Sequence, residues 1–224
     1  SGKFEEFKRI LNHSLGLVFF IAVPSTVGLI VLGRPIIQII FERGAFTSHA
    51  TAMTTYALLF YVLGLWAFSA NRVIISAFYA LQDTKTPVKV AVMTVLVNLG
   101  LSLLFMGPLK HGGLALALSI ASMIQFCLLI FFLKRKIDLS DMRPVFVSGL
   151  KSTVAAAVMG LAIYLIQFLW LPINAGSGLL QNMLGLFLLI LLGLIVFAAV
   201  GWLVQSDELK GVIQGSLGRV AREP

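Results

Sequence analysis

The side chains that could do chemistry in this chain are few. Of 224 residues, 9 are Asp or Glu, 3 are His and 1 is Cys. The acidic residues (Glu5, Glu6, Glu42, Asp83, Asp138, Asp141, Asp207, Glu208 and Glu223) all fall outside the long apolar runs. Ion-driven transport usually relies on an embedded carboxylate, and these runs hold none. His13, His49 and His111 are far apart and lack Cys or acidic companions at ligand spacing, so no metal site is expected. Cys127 sits in Gln125-Phe-Cys-Leu-Leu with no base beside it, and reads as a small apolar residue. No catalytic residue and no cofactor are expected. The chain is not read as an enzyme.

One charge does lie within an apolar run. Arg72, in Ser69-Ala-Asn-Arg-Val, would cost at least about 2.5–3.5 kcal/mol to insert, so its position needs a reason. It lies about 12 Å from the end of its helix, near enough for its guanidinium to reach headgroups. Alternatively it faces a hydrated cavity and binds an anionic group such as a phosphate. Both readings stand. A second pattern is Ser148, Ser152, Ala156 and Gly160, small residues four apart. Such a stripe lets another helix approach closely, or leaves a shallow apolar groove for an acyl or isoprenoid chain. Asn98 and Gln125 read as interhelical hydrogen-bond partners.

The elements that must position these residues follow from composition. The chain is 59% hydrophobic and 12% charged, with a mean hydropathy of +1.00. Ordinary soluble domains hold about 25% charged residues, so water is not the main solvent here. Disorder and a disulfide scaffold are excluded by the apolar content and the single Cys. At about 20 apolar residues per crossing, the sequence predicts an all-α integral membrane protein with about six transmembrane helices. They run from about Ile10 to Leu32, with a kink at Pro24, then Thr51–Ala80, Val88–Met106, Gly112–Leu133, Val145–Leu169 and Leu180–Val204. Residues 34–43 read as a separate interfacial helix ending at Gly44, after which Thr47 or Ser48 caps the second span.

The net charge is +8, but the basic residues lie between apolar blocks rather than in one cluster, so no nucleic-acid partner is expected. One side of the membrane holds Lys3, Lys8, Arg9, Lys85, Lys89, Lys134, Arg135, Lys136, Arg143, Lys151, Lys210, Arg219 and Arg222. The other holds Arg34, Arg43 and Lys110. By the positive-inside rule both termini are cytoplasmic, with membrane lipids as partners. The layout is a cytoplasmic lead-in over 1–9, four spans over 10–134, a basic cytoplasmic loop over 135–144, two spans over 145–204 and an amphipathic cytoplasmic tail over 205–224. Because the chain opens Ser-Gly-Lys rather than with Met, it is expected to be part of a longer one.

Three loop segments are more specific. They are Tyr79-Ala-Leu-Gln-Asp83-Thr84-Lys-Thr86-Pro87-Val-Lys89, Phe41-Glu-Arg43-Gly44-Ala-Phe-Thr47, and Gly107-Pro108-Leu-Lys-His-Gly112-Gly113-Leu. In this order, with these spans between them, the chain resembles the MurJ (MviN) family of lipid II flippases, in the MOP superfamily. Read without the family, each segment is structural: a turn before a helix-starting proline, a helix stop, a short outer link.

The resemblance implies a fold of fourteen helices in two lobes, of which this chain would be the last six. It implies movement of lipid II, the undecaprenyl-linked peptidoglycan precursor, across the bacterial cytoplasmic (inner) membrane by alternating access, for cell wall synthesis. Its partners would then be lipid II, or a related undecaprenyl-pyrophosphate-linked glycan, and the missing N-terminal lobe. The family's last two helices line an apolar groove for the lipid tail, which places the Ser148–Gly160 stripe there. Rival readings are a flippase for another undecaprenyl-linked glycan, a multidrug or cation antiporter, and a non-transporting scaffold for cell-wall enzymes.

Overall fold

The computed structural model describes residues 2–137, 143–169 and 178–203. Among these there are seven α-helices: α1 Gly2–Phe41, α2 Ser48–Leu63, α3 Leu65–Ala80, α4 Lys85–Leu109, α5 His111–Lys136, α6 Arg143–Leu169 and α7 Leu179–Leu203. Five are long and apolar enough to cross a bilayer, and six crossings result when α2 and α3 count as one bent span.

Three boundaries differ from those expected. Residues 2–9 and 34–41 are not separate elements: helix runs unbroken from Gly2 through Phe41, past Pro24 and Pro35. A proline removes one backbone donor, but leaving helix altogether in an apolar medium would strand many more. The second difference is at Gly64, where the expected single span divides into α2 and α3 with a 41° bend. Pro108, expected to end the third span, lies inside the last turn of α4, and the chain turns instead at Lys110 (φ 50°). The expected amphipathic tail (205–224), most of the link at 171–177 and part of the basic loop (138–142) lie outside the described residues.

Lipid tails are as apolar as leucine, so burial from water does not hold these helices together; close packing and interhelical hydrogen bonds do. One buried cluster joins Leu15 of α1, Ile74 and Phe78 of α3, Leu129 and Leu133 of α5 and Val145 of α6. A second joins Leu32 of α1, Ala156 and Met159 of α6, and Leu189 and Phe197 of α7. Helix α1 is thus the common post. Helix α4 lies on α5 and barely touches α3, turning Val92, Val95, Leu96, Leu99 and Leu103 outward.

The three loop segments lock helix ends. In the first, Asp83 Oδ1 accepts from the backbone N–H groups of Lys85 (3.1 Å) and Thr86 (3.0 Å), capping α4, while Pro87 sits buried in its first turn. Asp83 Oδ2 pairs with Lys136 Nζ at 2.7 Å, tying this loop to the end of α5. In the second, Arg43 donates to the carbonyl of Ile40 (3.1 Å), Gly44 takes a positive φ of 58°, and Thr47 accepts from the N–H of Ala50 to start α2. Glu42 accepts from the buried Thr51 hydroxyl at 2.8 Å. In the third, a side chain at Gly112 would strike the Tyr56 ring, and one at Gly113 the Phe105 carbonyl.

Candidate functional site

Helix α3 has two unlike faces. Ala67, Ala70, Asn71, Ile74, Ala77 and Phe78 are buried against α1 and α5. Arg72, Ser76 and Tyr79 lie on the opposite, exposed face. The Ser76 hydroxyl turns back onto the carbonyl of Arg72 (3.0 Å), leaving the guanidinium as that face's strong donor. Lys8 pairs with Glu5 and Lys136 with Asp83, and among the described residues Arg72 has no acidic partner. It therefore carries an uncompensated charge on the outer face of an apolar bundle. Such a group is stable only against water, another part of the protein or an anionic ligand.

Its neighbour fixes which way it points. Asn71 is 4% exposed. Its Nδ2 lies 3.1 Å from the carbonyl of Ser122, 3.2 Å from Ser122 Oγ and 3.3 Å from Gln125 Oε1, all on α5. With the amide held there, rotation of α3 about its axis is fixed and Arg72, one residue on, must face out. Gln125 thus serves as an interhelical partner. Asn98, on α4, has a buried carbonyl oxygen without one among the described residues.

An apolar cavity of about 580 Å³ opens between four helices. Phe19 and Val23 of α1, Trp66 of α3 and Phe126 of α5 form its inner wall, and α6 forms the rest. Phe19 stacks on Trp66 at 5.7 Å between ring centroids, and Trp66 meets Phe126 edge-on at 5.2 Å. From α6 the lining residues are Val145, Phe146, Gly149, Leu150 and Thr153. The Thr153 hydroxyl donates to its own helix at Gly149 (2.8 Å), so it offers an occupant no free donor. From Val145 to Thr153 the groove descends about 12 Å, roughly two fifths of the thickness of a bilayer's apolar core.

The small-residue stripe lies elsewhere on the same helix. Ser148, Ser152, Ala156 and Gly160 are all buried, and a Cβ on Gly160 would lie 2.5 Å from Val27 Cγ1 of α1. These residues bring α6 onto α1. The groove begins one residue round the helix, at Gly149 and Thr153, and α7 takes no part in lining it. No local pattern marks Phe19, Trp66 and Phe126, because the wall forms only when three distant helices meet. Cys127 is exposed on α5, His13 and His49 are exposed, and His111 Nε2 approaches Met53 Sδ at 3.3 Å. Among the described residues, no three His, Cys, Asp or Glu side chains group to hold a metal.

Comparison with known proteins agrees with this architecture. Residues 1–184 match the model of the family described as lipid II flippase MurJ. A probable lipid II flippase MurJ of Rhizobium tropici is 33% identical over 225 residues, covering 100% of this chain and 42% of its own length. The corresponding protein of Rickettsia prowazekii is 31% identical, covering 88% of this chain and 39% of its own. The lipid II flippase MurJ of Thermosipho africanus is 37% identical over 166 residues, which is 33% of its length. A solved structure of lipid II flippase MurJ in an inward closed conformation superposes with a TM-score of 0.70 at 30% identity, covering 88% of this chain and 40% of that one. The chain therefore spans about two fifths of the length of relatives it matches.

Proposed function

This chain belongs to the lipid II flippase MurJ family, and from that premise we propose that it is the C-terminal portion of a flippase for lipid II. It supplies six of the whole protein's crossings to a multi-pass protein of the bacterial cytoplasmic membrane, with the basic end of the bundle facing the cytoplasm. Flipping moves an amphiphile without making or breaking a covalent bond, so this portion needs no nucleophile, metal or cofactor, and is not an enzyme.

The observation that carries the reading is Arg72, an uncompensated cation on the exposed face of a bilayer-embedded helix. In this reading the face looks onto a central cavity shared with the N-terminal lobe, and the guanidinium meets the pyrophosphate of the cargo through paired N–H donors. The undecaprenyl tail stays in apolar surroundings while the headgroup crosses. The groove walled by Phe19, Trp66 and Phe126 suits such a chain, being apolar and about 12 Å deep. Rocking of the two lobes then exposes the cavity to each side in turn.

Transport of lipid II by the full-length protein, compared at matched membrane abundance, tests this. A lost charge-assisted contact of about 1.5–3 kcal/mol makes Arg72→Ala about ten- to a hundredfold slower. Arg72→Lys retains part of the rate, because it keeps the charge and loses the planar fork. Unchanged rates in both variants would remove Arg72 from the substrate path.

A further inference from the structure

The bend between α2 and α3 is held from outside the span. Ser119 Oγ of α5 donates to the carbonyls of Phe60 (2.7 Å) and Tyr61 (3.2 Å). Thr26 Oγ1 of α1 donates to the carbonyl of Val62 at 3.4 Å. These carbonyls belong to the last turn of α2, where a bend disturbs intrahelical partners and lipid offers no replacement. Gly64 fills the angle. A Cβ there would lie 2.7 Å from both Cα and Oγ of Ser119, closer than real side chains pack. Beyond the bend, Ser122 and Gln125 hold Asn71. One face of α5 thus grips the span on both sides of its break.

The two grips are unequal. Helix α3 places Ala70, Ile74, Ala77 and Phe78 in the buried cluster at the basic end. Helix α2 places no residue in either buried cluster, and its buried residues are Thr51 and Val62. At its inner end α2 is held by the buried Val62 and by the hydroxyl bonds from Ser119 and Thr26. A hydroxyl is a reversible catch, because it can turn to a carbonyl of its own helix, as Ser76, Thr94 and Thr153 do here. Letting go then strands no donor in the apolar medium, and the Tyr61 carbonyl keeps the N–H of Gly64 at 3.2 Å.

We propose that α2 is a swinging arm hinged at Gly64, with α3 fixed to α5 and the Ser119 hydroxyl as the catch. The proposal goes beyond the flippase reading, since it concerns which part of the molecule moves and not what is carried. With 16 residues the arm is roughly 24 Å long, and a change of about 10° at the hinge carries its outer end about 4 Å.

Pulsed electron–electron resonance on the full-length protein in lipid nanodiscs tests it, in a Cys127→Ala background. One label pair, His49→Cys with Val158→Cys, reports α2 against α6. A second, Tyr79→Cys with Lys134→Cys, reports α3 against α5. The expected result is two populated distances for the α2 pair, about 4 Å apart, and one for the α3 pair. Ser119→Ala then raises the share of the released α2 distance and leaves the α3 pair unchanged. Gly64→Ala does the same if it folds, and Ser119→Ala decides if it does not. A single α2 distance that Ser119→Ala leaves in place overturns the hinge, as does a joint shift of both pairs. Lipid II transport by the same variants is scored separately: two α2 distances without transport keep the hinge and remove the flippase reading.

Discussion

At the scale of single residues, the consequential pair is Asn71 and Arg72, neighbours in sequence that point opposite ways. Asn71→Leu removes the amide contacts to Ser122 and Gln125 while keeping side-chain volume. Interhelical hydrogen bonds in bilayers average about 0.6 kcal/mol, and the amide has two N–H groups to donate, so the loss is roughly 1 kcal/mol. Thermal unfolding in detergent measures it, and a fall in transport exceeding the fall in folded protein marks the loss of aim at Arg72. Gly160 offers a contrast: Ala must push Val27 aside by a small shift, whereas Leu forces α1 and α6 apart. Arg72 was legible in the sequence because a charge inside an apolar run is conspicuous. Its two rival explanations were not separable there, since the choice depends on which face of α3 is covered, and that is decided by Ser122 and Gln125 some fifty residues away.

At the scale of elements, helices were legible and their joints were not. Apart from α1, which runs eight and nine residues past the expected span at its two ends, long apolar runs located the helix ends to within about three residues. The bend at Gly64 left no trace in Val62-Leu-Gly-Leu65, because what holds it is Ser119, 59 residues from Phe60. The reverse error arose at Arg34-Pro35, which has the local signs of an interruption, yet α1 continues to Phe41. The α3–α4 joint is also electrostatic. The Lys136 ammonium, with the hydroxyl and backbone N–H of Thr86, holds the Asp83 carboxyl well below the usual carboxylate range. A carboxylate depressed in the folded state stabilises fully above its unfolded value of about 3.9, and less as pH falls through its folded value. Wild type and Asp83→Asn are therefore expected to differ in thermal stability by a constant gap between about pH 8 and pH 5. The gap closes only in acid below about pH 3.9. A gap that instead closes near neutrality assigns the effect to some other group.

At the scale of the molecule, the distribution of charge sets orientation. Lys85 stands at the basic end and Lys110 at the opposite end of α4. Single cysteines at these positions, in the Cys127→Ala background of the full-length protein, are expected to react oppositely with a membrane-impermeant maleimide added to spheroplasts. Residue 110 labels and residue 85 does not until the membrane is opened; the opposite pattern inverts the orientation.

Helix α4 raises a different matter, that of assembly. Among the described residues it rests almost wholly on α5, and α5 follows it in the chain. When its 25 residues leave the ribosome, the surface they will pack on has not yet been made. Until α5 follows, this helix lodges in lipid without the packing that α5 gives it, with the polar Asn98 on it. Biogenesis is consequently most exposed to error in the interval between these two helices, and polar substitutions on α4 should lower yield before they alter any property of the finished protein.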